Sequence, residues 1–444
     1  MTFQAAQGYL LGLINENASR RMPNRLDRIR AFLAALGDPQ DRYPTIHVAG
    51  TSGKGSTSTM IATILQASGK RTGLHTKPHL ASVTERARID GLPVPQERFG
   101  ELVGELRDAG EAIAAEHGRP TYYEMLLALA FLWFAREPVD VAVIEAGIGG
   151  KLDGTNVLRP RVAVVTNVAL DHTEILGDTV EEIARDKGGV AKPGVPLVTA
   201  SRDPRALDEL RRAAQNAGAP FHALVDEARV EARGGERYGQ SFAVVTPEDR
   251  YDVSLPLLGE FQQYNAATAI RTLELSGDLR PSGDAVAAGL ARTVIPGRME
   301  YFPSHPGVVF DIAHNPDKAQ NLAHALGETF PGRHFTFVIA IGETKDAIEV
   351  IRPFVELPSG FVFTSFAAAG RHAMRPQRLA SIAEALGAWG KAIADPVEAF
   401  AVARRLATAD DVVVVTGSTF LVAELREWWI ANVAASSAPD VSNV

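Results

Sequence analysis

The chain is 444 residues long, which exceeds one ordinary hydrophobic core and leads us to expect two domains. Its composition is that of a globular protein, 46% hydrophobic and 22% charged, and its net charge of −8 argues against a broad nucleic-acid surface while leaving room for a local cationic cleft. There is no cysteine, which excludes disulfides, thiolate metal sites and a cysteine nucleophile and fits a reducing, cytoplasmic setting. The N-terminus, Met1-Thr2-Phe3-Gln4, has no basic region followed by an apolar core, so no signal peptide is expected; the apolar stretch 125–135 is too short to span a bilayer.

In chain order, the first informative run is Gly50-Thr51-Ser52-Gly53-Lys54-Gly55-Ser56-Thr57. It follows the extended apolar stretch Thr45-Ile46-His47-Val48-Ala49 and precedes a helical pattern, Met60–Leu65. Strand, glycine-rich turn and helix form the setting in which backbone N–H groups cradle phosphates. Lys54 would bring positive charge to the β- and γ-phosphates, and Ser56 or Thr57 a hydroxyl to bound Mg2+. The spacing departs from the standard P-loop, which places a glycine where Val48 stands.

Strands are expected at 46–49, 139–145, 162–167, 196–200, 308–312, 336–341, 361–364 and 412–416. Their unbroken apolar character suits parallel strands buried on both faces, and their alternation with helical patterns predicts a doubly wound α/β architecture. One stretch, 228–258, breaks the rhythm: Arg233-Gly234-Gly235-Glu236 between two alternating segments predicts an antiparallel hairpin, with a helix to follow from Gln263 to Ser276. The turn Pro296-Gly297-Arg298 is the expected boundary, dividing the chain into domains 1–296 and 297–433. The tail from Ala434, rich in Ser, Ala, Pro and Asn, is expected to fray. No internal repeat is evident.

Several strand ends carry polar groups where open parallel sheets gather their ligands. Glu145 ends one strand before Ala146-Gly147-Ile148-Gly149-Gly150, and reads equally as a ligand-positioning carboxylate or a solvent-facing glutamate. Asp171-His172 follows another strand; a neutral imidazole there could serve a metal, although magnesium prefers oxygen. Asp186-Lys187-Gly188-Gly189 reads as an ordinary helix end with a dipole-favoured lysine. In the second half, Phe310-Asp311-Ile312-Ala313-His314-Asn315-Pro316 and Thr416-Gly417-Ser418 each read as turn chemistry or as a site.

Taken together, these runs resemble the folylpolyglutamate synthase/dihydrofolate synthase family of the Mur ligase superfamily. The resemblance runs from about Arg25 to Glu427. It rests on His47–Ser56, Pro78-His79-Leu80 with Glu85-Arg86, Glu145–Asn156, Asp171-His172, Leu176-Gly177-Asp178-Thr179 and Lys187, and then on Gln262 with Asn265, Pro296-Gly297-Arg298, Asp311–Pro316 and Thr416-Gly417-Ser418. It implies a P-loop ATPase domain followed by a Rossmann-like ligase domain, with the active site between them. The implied reaction joins L-glutamate to a folate or to dihydropteroate, with ATP and Mg2+, through an acyl phosphate. A monomer with no nucleic-acid or membrane partner is expected.

By that resemblance, Gly50, Thr51, Gly53, Lys54, Gly55, Ser56 and Thr57 form the phosphate loop, and Ser56, Glu145 and His172 match metal ligands. Lys187 matches a lysine that relatives carbamylate, so Lys54, Glu145, His172 and Lys187 form the implied catalytic set. Gln262, Asn265, Arg298 and Asp311 match nucleotide contacts, while His314 and Ser418 match positions near the incoming glutamate. Lys77, Pro78 and His79, with Tyr122 and Tyr123, match the substrate side. Three departures stand out: Lys77 replaces a serine close to magnesium, Tyr122 and Tyr123 stand where phenylalanine is usual, and Phe261 stands where histidine often precedes the glutamine. Lys77 is expected to place its ammonium against Glu145 and the phosphates, the alternative being a loop swung to solvent. The competing readings are a ligase for another acid and amino acid, a nucleotide-binding regulator that has lost ligation, and a P-loop phosphotransferase, which needs no second Rossmann-like domain.

Overall fold

A computed structural model describes residues 1–14, 25–236, 239–368 and 371–433; the expected frayed tail lies outside the described residues. The chain divides into two compact units. One comprises Met1–Gly234, Ser241–Pro256 and Phe261–Thr293; the other gathers Gly235–Gln240, Leu257–Glu260 and the chain from Val294 onward.

The first unit is built on eight strands: β1 (Thr45–Ala49), β2 (Thr72–His75), β3 (Ala87–Ile89), β4 (Leu92–Pro93), β5 (Val141–Glu145), β6 (Val162–Val165), β7 (Leu197–Thr199) and β8 (Phe221–Ala223). They lie in the order β4-β3-β2-β5-β1-β6-β7-β8. The pairs from β2 to β8 are parallel, while β3 and β4 add an antiparallel edge. Every residue of β1, β2, β5, β6 and β7 is buried, which is why these strands read as apolar runs without alternation. The chain leaves β1 toward β2 on one side and later returns to β6 on the other. The crevice beyond the carboxyl end of β1, between β5 and β6, is therefore the topological switch point where ligands bind in such sheets.

The apolar stretch 125–135 lies within the helix Tyr122–Arg136, which is buried without interruption from Glu124 to Phe134 among Phe32, Phe99, Leu102 and Leu106. No helix of the described residues is long and apolar enough to cross a membrane.

The stretch 228–258 differs from expectation. It forms three strands, β9 (Arg229–Glu236), β10 (Gly239–Val245) and β11 (Arg250–Leu255), in the order β11-β10-β9. Arg233–Glu236, expected as the turn, belongs to β9. The helix that follows runs Phe261–Glu274, two residues earlier than its periodicity suggested.

The second unit carries β12 (Glu300–Phe302), β13 (Gly307–Phe310), β14 (Phe335–Ile339), β15 (Ser359–Phe363), β16 (Gly390–Ala392) and β17 (Val412–Thr416), in the order β12-β13-β17-β14-β15-β16. All neighbours are parallel except β12 against β13. Phe337, Phe361 and Phe363 stack across β14 and β15, with ring centroids 5.5 and 5.6 Å apart. The ion pair of Arg426 with Glu300, at 2.6 and 2.7 Å, ties the last helix, Thr419–Asn432, to β12.

Candidate active site

The glycine-rich run forms a tight loop from the end of β1 into the helix Lys54–Ala67. Gly50 has φ +141°, and a Cβ there would lie 1.9 Å from Thr166 Oγ1. Gly53, with φ +79°, would drive a Cβ to 2.5 Å from Asn265 Oδ1. Only glycine permits both the left-handed backbone and the close approach. The loop is held from the neighbouring strand end: Thr166 Oγ1 donates to Ser52 O at 2.6 Å, and Ser52 N donates to Asn167 Oδ1 at 2.7 Å. Thr51 N donates to Asn167 O, and the Thr51 hydroxyl donates to Ala169 O. Ser56 and Thr57 are buried in the helix's first turn. The Thr57 hydroxyl lies 3.5 Å from Asn265 Oδ1, and Asn265 Nδ2 donates to the buried Gln262 at 2.8 Å.

Two lysines converge beneath this loop. Lys54 Nζ donates to the carbonyls of Gly50 and Thr51, each at 2.9 Å, and Lys187 Nζ donates to the same Gly50 carbonyl at 3.0 Å. Lys187 is 2% exposed. Burial, followed by repulsion from Lys77 and Lys187, lowers Lys54 to about 7 against the pull of Glu145 and Asp171. Burial lowers Lys187 to about 8, opposed first by Asp186. Lys187 is delivered by the helix Val180–Gly188, whose start is fixed by a capping box in which the Thr179 hydroxyl accepts from Glu182 N and the Glu182 carboxylate accepts from Thr179 N.

Glu145, 3% exposed at the end of β5, lies beside the loop: a Cβ on Gly55 would stand 3.5 Å from Glu145 Oε2. That oxygen accepts from the backbone N–H of Lys77 at 2.9 Å. Here the expectation for Lys77 is corrected. Its main chain, not its ammonium, meets Glu145. The chain turns at Lys77-Pro78 and presents its amide to the carboxylate. Half-buried His172 holds a left-handed backbone, φ 52°, with Nε2 3.8 Å from Asp171; burial lowers its pKa, so the ring is neutral at pH 7.

On the substrate-side segments, His79 Nδ1 accepts from Arg86 Nε at 3.1 Å, and burial followed by Arg86 lowers the ring to about 4. Pro78 is exposed. Tyr122 and Tyr123 open the helix Tyr122–Arg136, and the Tyr123 hydroxyl donates to Asp153 Oδ1 at 2.9 Å. Burial raises Tyr122, against the pull of Arg86.

In the second unit, Asp311 and Ser418 follow the adjacent parallel strands β13 and β17. Asp311 accepts from Met299 N and Ala313 N, each at 2.8 Å, and so fixes the left-handed Met299, φ 47°, beside Arg298. Glu300 accepts from Gly297 N at 2.8 Å. His314 Nδ1–H donates to Ile312 O at 2.8 Å, which leaves Nε2 the acceptor; burial and Lys318 lower the ring to about 4. Ser418 caps the helix Thr419–Asn432 by accepting from Phe420 N at 3.2 Å.

The comparisons with known proteins decide the family. The Mur ligase middle domain matches residues 48–273, and the Mur ligase glutamate ligase domain matches 297–419. A dihydrofolate synthase/folylpolyglutamate synthase of Bacillus subtilis is 32% identical over 409 residues, spanning 90% of this chain and 94% of that protein. This chain belongs to the folylpolyglutamate synthase/dihydrofolate synthase family. It is an ATP-dependent ligase of that family. A second curated ligase of the same name, from Escherichia coli, is 32% identical over 90% of both chains. Among solved structures, folylpolyglutamate synthase from Thermotoga maritima superposes with a TM-score of 0.86 at 30% identity, covering 97% of each chain. The E. coli enzyme solved with DHPP and ADP gives 0.83 at 29% identity, covering 96% of this chain and 98% of that one.

Several residues that shape these loops lay within runs the sequence singled out, but their roles escaped the sequence reading. Thr166 and Asn167 brace the loop, Asp153 anchors Tyr123, and Arg86 sits on His79. The pairing of β1 with β6 was the available signal for the first two, since it sets both strand ends side by side. Asp153 lies within the run Glu145–Asn156, but nothing in the sequence marks its pairing with Tyr123, 30 residues away.

Proposed function

We propose that this ligase joins L-glutamate to tetrahydrofolate, to dihydropteroate, or to both, in the cytoplasm and as a monomer. Residues 1–296 bind ATP and the acid, and 297–433 act as the glutamate ligase domain. The observation that supports this best is the pair of ammonium groups on the Gly50 carbonyl, beside buried Glu145, at the switch point of the parallel sheet. Cations pushed down in pKa by burial and by neighbouring lysines, Lys77 foremost, are arranged for an anion that is still to arrive.

A carboxylate is a poor electrophile, so the acid's carboxylate oxygen first attacks the γ-phosphorus of ATP. The bond to the β–γ bridging oxygen breaks, ADP leaves, and an acyl phosphate forms. The neutral amine of glutamate then attacks the acyl carbon, phosphate leaves with the bonding pair, and the nitrogen sheds a proton to give the amide. In the first step Lys54 and the N–H groups of 53–56 stabilise charge on the transferring phosphoryl group. Gln262, Asn265, Arg298 and Asp311 hold the nucleotide. Tyr122, Tyr123, Lys77, Pro78 and His79 position the acid, while His314 and Ser418 orient glutamate.

The donor set fits magnesium. Among the described residues no three His, Asp or Glu groups converge on a metal, and magnesium characteristically takes one or two carboxylates and completes its shell with phosphate and water. Buried Glu145 accepts one backbone N–H and keeps acceptor capacity, Ser56 adds a hydroxyl and neutral His172 a nitrogen. When bound there, the ion would neutralise phosphate charge. We assign Lys187 to carbamylation. Its lowered pKa supplies the neutral amine that carbon dioxide requires, and the surrounding cations favour the resulting anion. Lys187→Ala is then inactive and partly restored by short-chain carboxylic acids. A lysine that stays unmodified with bicarbonate at mildly basic pH, in an intact metal site, overturns that assignment. Lys77 adds positive charge near Lys54 and Lys187 without touching Glu145 through its side chain. A Lys77→Ser variant with unaltered turnover and magnesium dependence would place Lys77 outside the site.

The deciding experiment incubates the enzyme with ATP, glutamate and either dihydropteroate or tetrahydrofolate. Amide product with ADP supports the reading. Phosphate release only with another acid, or nucleotide binding without turnover, defeats it.

A further inference from the structure

We infer that Arg28 is a positioning residue for the acid substrate, acting through Glu124 on the segment Thr121–Tyr123; this rests on the folate reading of that segment. Arg28 and Glu124 are 7% and 3% exposed, and form a two-pronged ion pair across 96 residues of chain. Nε lies 2.9 Å from Oε2, and Nη2 lies 3.0 Å from Oε1. The same Oε2 accepts from Thr121 N at 2.8 Å and the Thr121 hydroxyl at 3.0 Å, closing a capping box at the helix that begins with Tyr122 and Tyr123.

The cap requires only Thr121 and Glu124. The arginine is additional, and a buried ion pair adds little net stability because desolvating both charges offsets their attraction. What a planar two-point grip adds is orientation. Glu124 cannot rotate, so Thr121 is fixed, and the two tyrosines leave the cap at set angles. On its far side Tyr123 meets Asp153, a buried carboxylate that also accepts from Ile148 N at 3.2 Å, Thr155 N at 3.0 Å and the Thr155 hydroxyl at 2.5 Å. A Cβ on Gly147 would lie 2.8 Å from the Tyr123 hydroxyl, so the ring is pressed against the turn that begins two residues after Glu145. The helix Arg25–Ala35 completes the arrangement, since Ile29, next to Arg28, reaches to 4.0 Å from where a Cβ on Gly154 would stand. Arg28 thus fixes from behind the segment whose front is set by the turn beyond Glu145.

The test is steady-state kinetics of Arg28→Lys, Arg28→Met and Glu124→Gln with dihydropteroate and with tetrahydrofolate, alongside thermal unfolding. Lysine keeps the charge and loses the two-point grip. Glu124→Gln keeps an acceptor for Thr121 and loosens the grip from the other side, so it decides the question if the Arg28 variants do not fold. The expected result is a KM for the acid raised about tenfold or more, with the KM for ATP within twofold of wild type, because small misplacements of positioning groups cost up to about a hundredfold. A purely structural pair would lower the folded fraction and the apparent kcat and leave every KM unchanged; that outcome overturns the inference. A wild-type enzyme that makes amide from neither acid overturns the folate reading, and this inference with it.

Discussion

The two parallel sheets end in loops of opposite character. In the first unit, the carboxyl ends of β1, β5 and β6 gather Lys54, Lys187 and, nearby, Lys77, and the first two are driven down in pKa. In the second, Asp311, His314 Nδ1 and Ser418 at the ends of β13 and β17 bond to nearby backbone, while His314 Nε2 faces the Lys318 ammonium at 3.5 Å. The first loop cluster brings buried cations together against only part-compensating carboxylates; the second owes its shape to local hydrogen bonds. One architecture therefore yields a site poised for ligand charge and another that presents a fixed backbone.

The sharpest way to break this contrast is Lys54→Ala. Loss of ligation by about 10²–10³-fold is expected, by analogy with removing one donor to a developing charge. Thermal unfolding should barely move, because a cation held below its solution pKa does not favour the fold. Near-wild-type turnover in a folded Lys54→Ala protein would remove Lys54 from the chemistry.

Asp311→Asn tests the opposite claim for the second unit. An amide has one oxygen where the carboxylate offers two, so Met299 N or Ala313 N loses its acceptor. A destabilisation of about 1–3 kcal/mol is expected from denaturant unfolding, together with weaker nucleotide binding. An unchanged midpoint would show that Asp311 is not the support of its turn.

A third test follows from the sign of the lysine shifts. In the free protein Lys54, at about 7, is mostly neutral at pH 8. A bound triphosphate favours the charged form and raises that pKa, so nucleotide binding at pH 8 should take up protons, and at pH 6, where Lys54 is already protonated, it should not. The same shift makes the unfolded chain bind more protons than the folded one from about pH 7 to Lys54's ordinary 10.5, so this group's contribution to stability rises with pH across that window. Calorimetry in buffers of different ionisation heat reads the uptake, and Lys54→Ala should reduce it, leaving only what Lys187, at about 8, takes up. Equal uptake in the variant would assign the proton elsewhere.

The smallest effect is Ser418→Ala, which removes a helix cap and should cost about 1 kcal/mol. If the KM for glutamate rises well beyond what that loss explains, Ser418 reaches the substrate as well as its own helix.

How much of this was legible follows from the kind of signal. β1, β5, β6, β13, β14 and β17 could be read because burial on both faces leaves an unbroken apolar run. The strands β3, β4, β12 and β16, at or next to the sheet edges, are two or three residues long, and no period can be read from so few. The phosphate loop could be read because its glycines, lysine and hydroxyls are contiguous. Glu145 and Lys187 were ambiguous alone, since what makes them notable is adjacency across 90 residues or more to a loop at the end of a different strand. The ion pair of Arg28 with Glu124 was invisible for the same reason, and Lys77 misled because a residue type says nothing about whether its side chain or its amide will face a carboxylate.

The capping box at Thr179 has a consequence for register. With its first turn fixed, the helix Val180–Gly188 works as an indexed shaft: Lys187 stands eight residues beyond the cap, about 12 Å along the axis at 1.5 Å per residue. Deleting or inserting one residue between Thr179 and Lys187 would leave the composition almost unchanged, yet it would turn the ammonium by about 100° around the shaft and away from the Gly50 carbonyl. The spacing between those two residues therefore matters as much to the contact beneath Gly50 as the lysine itself.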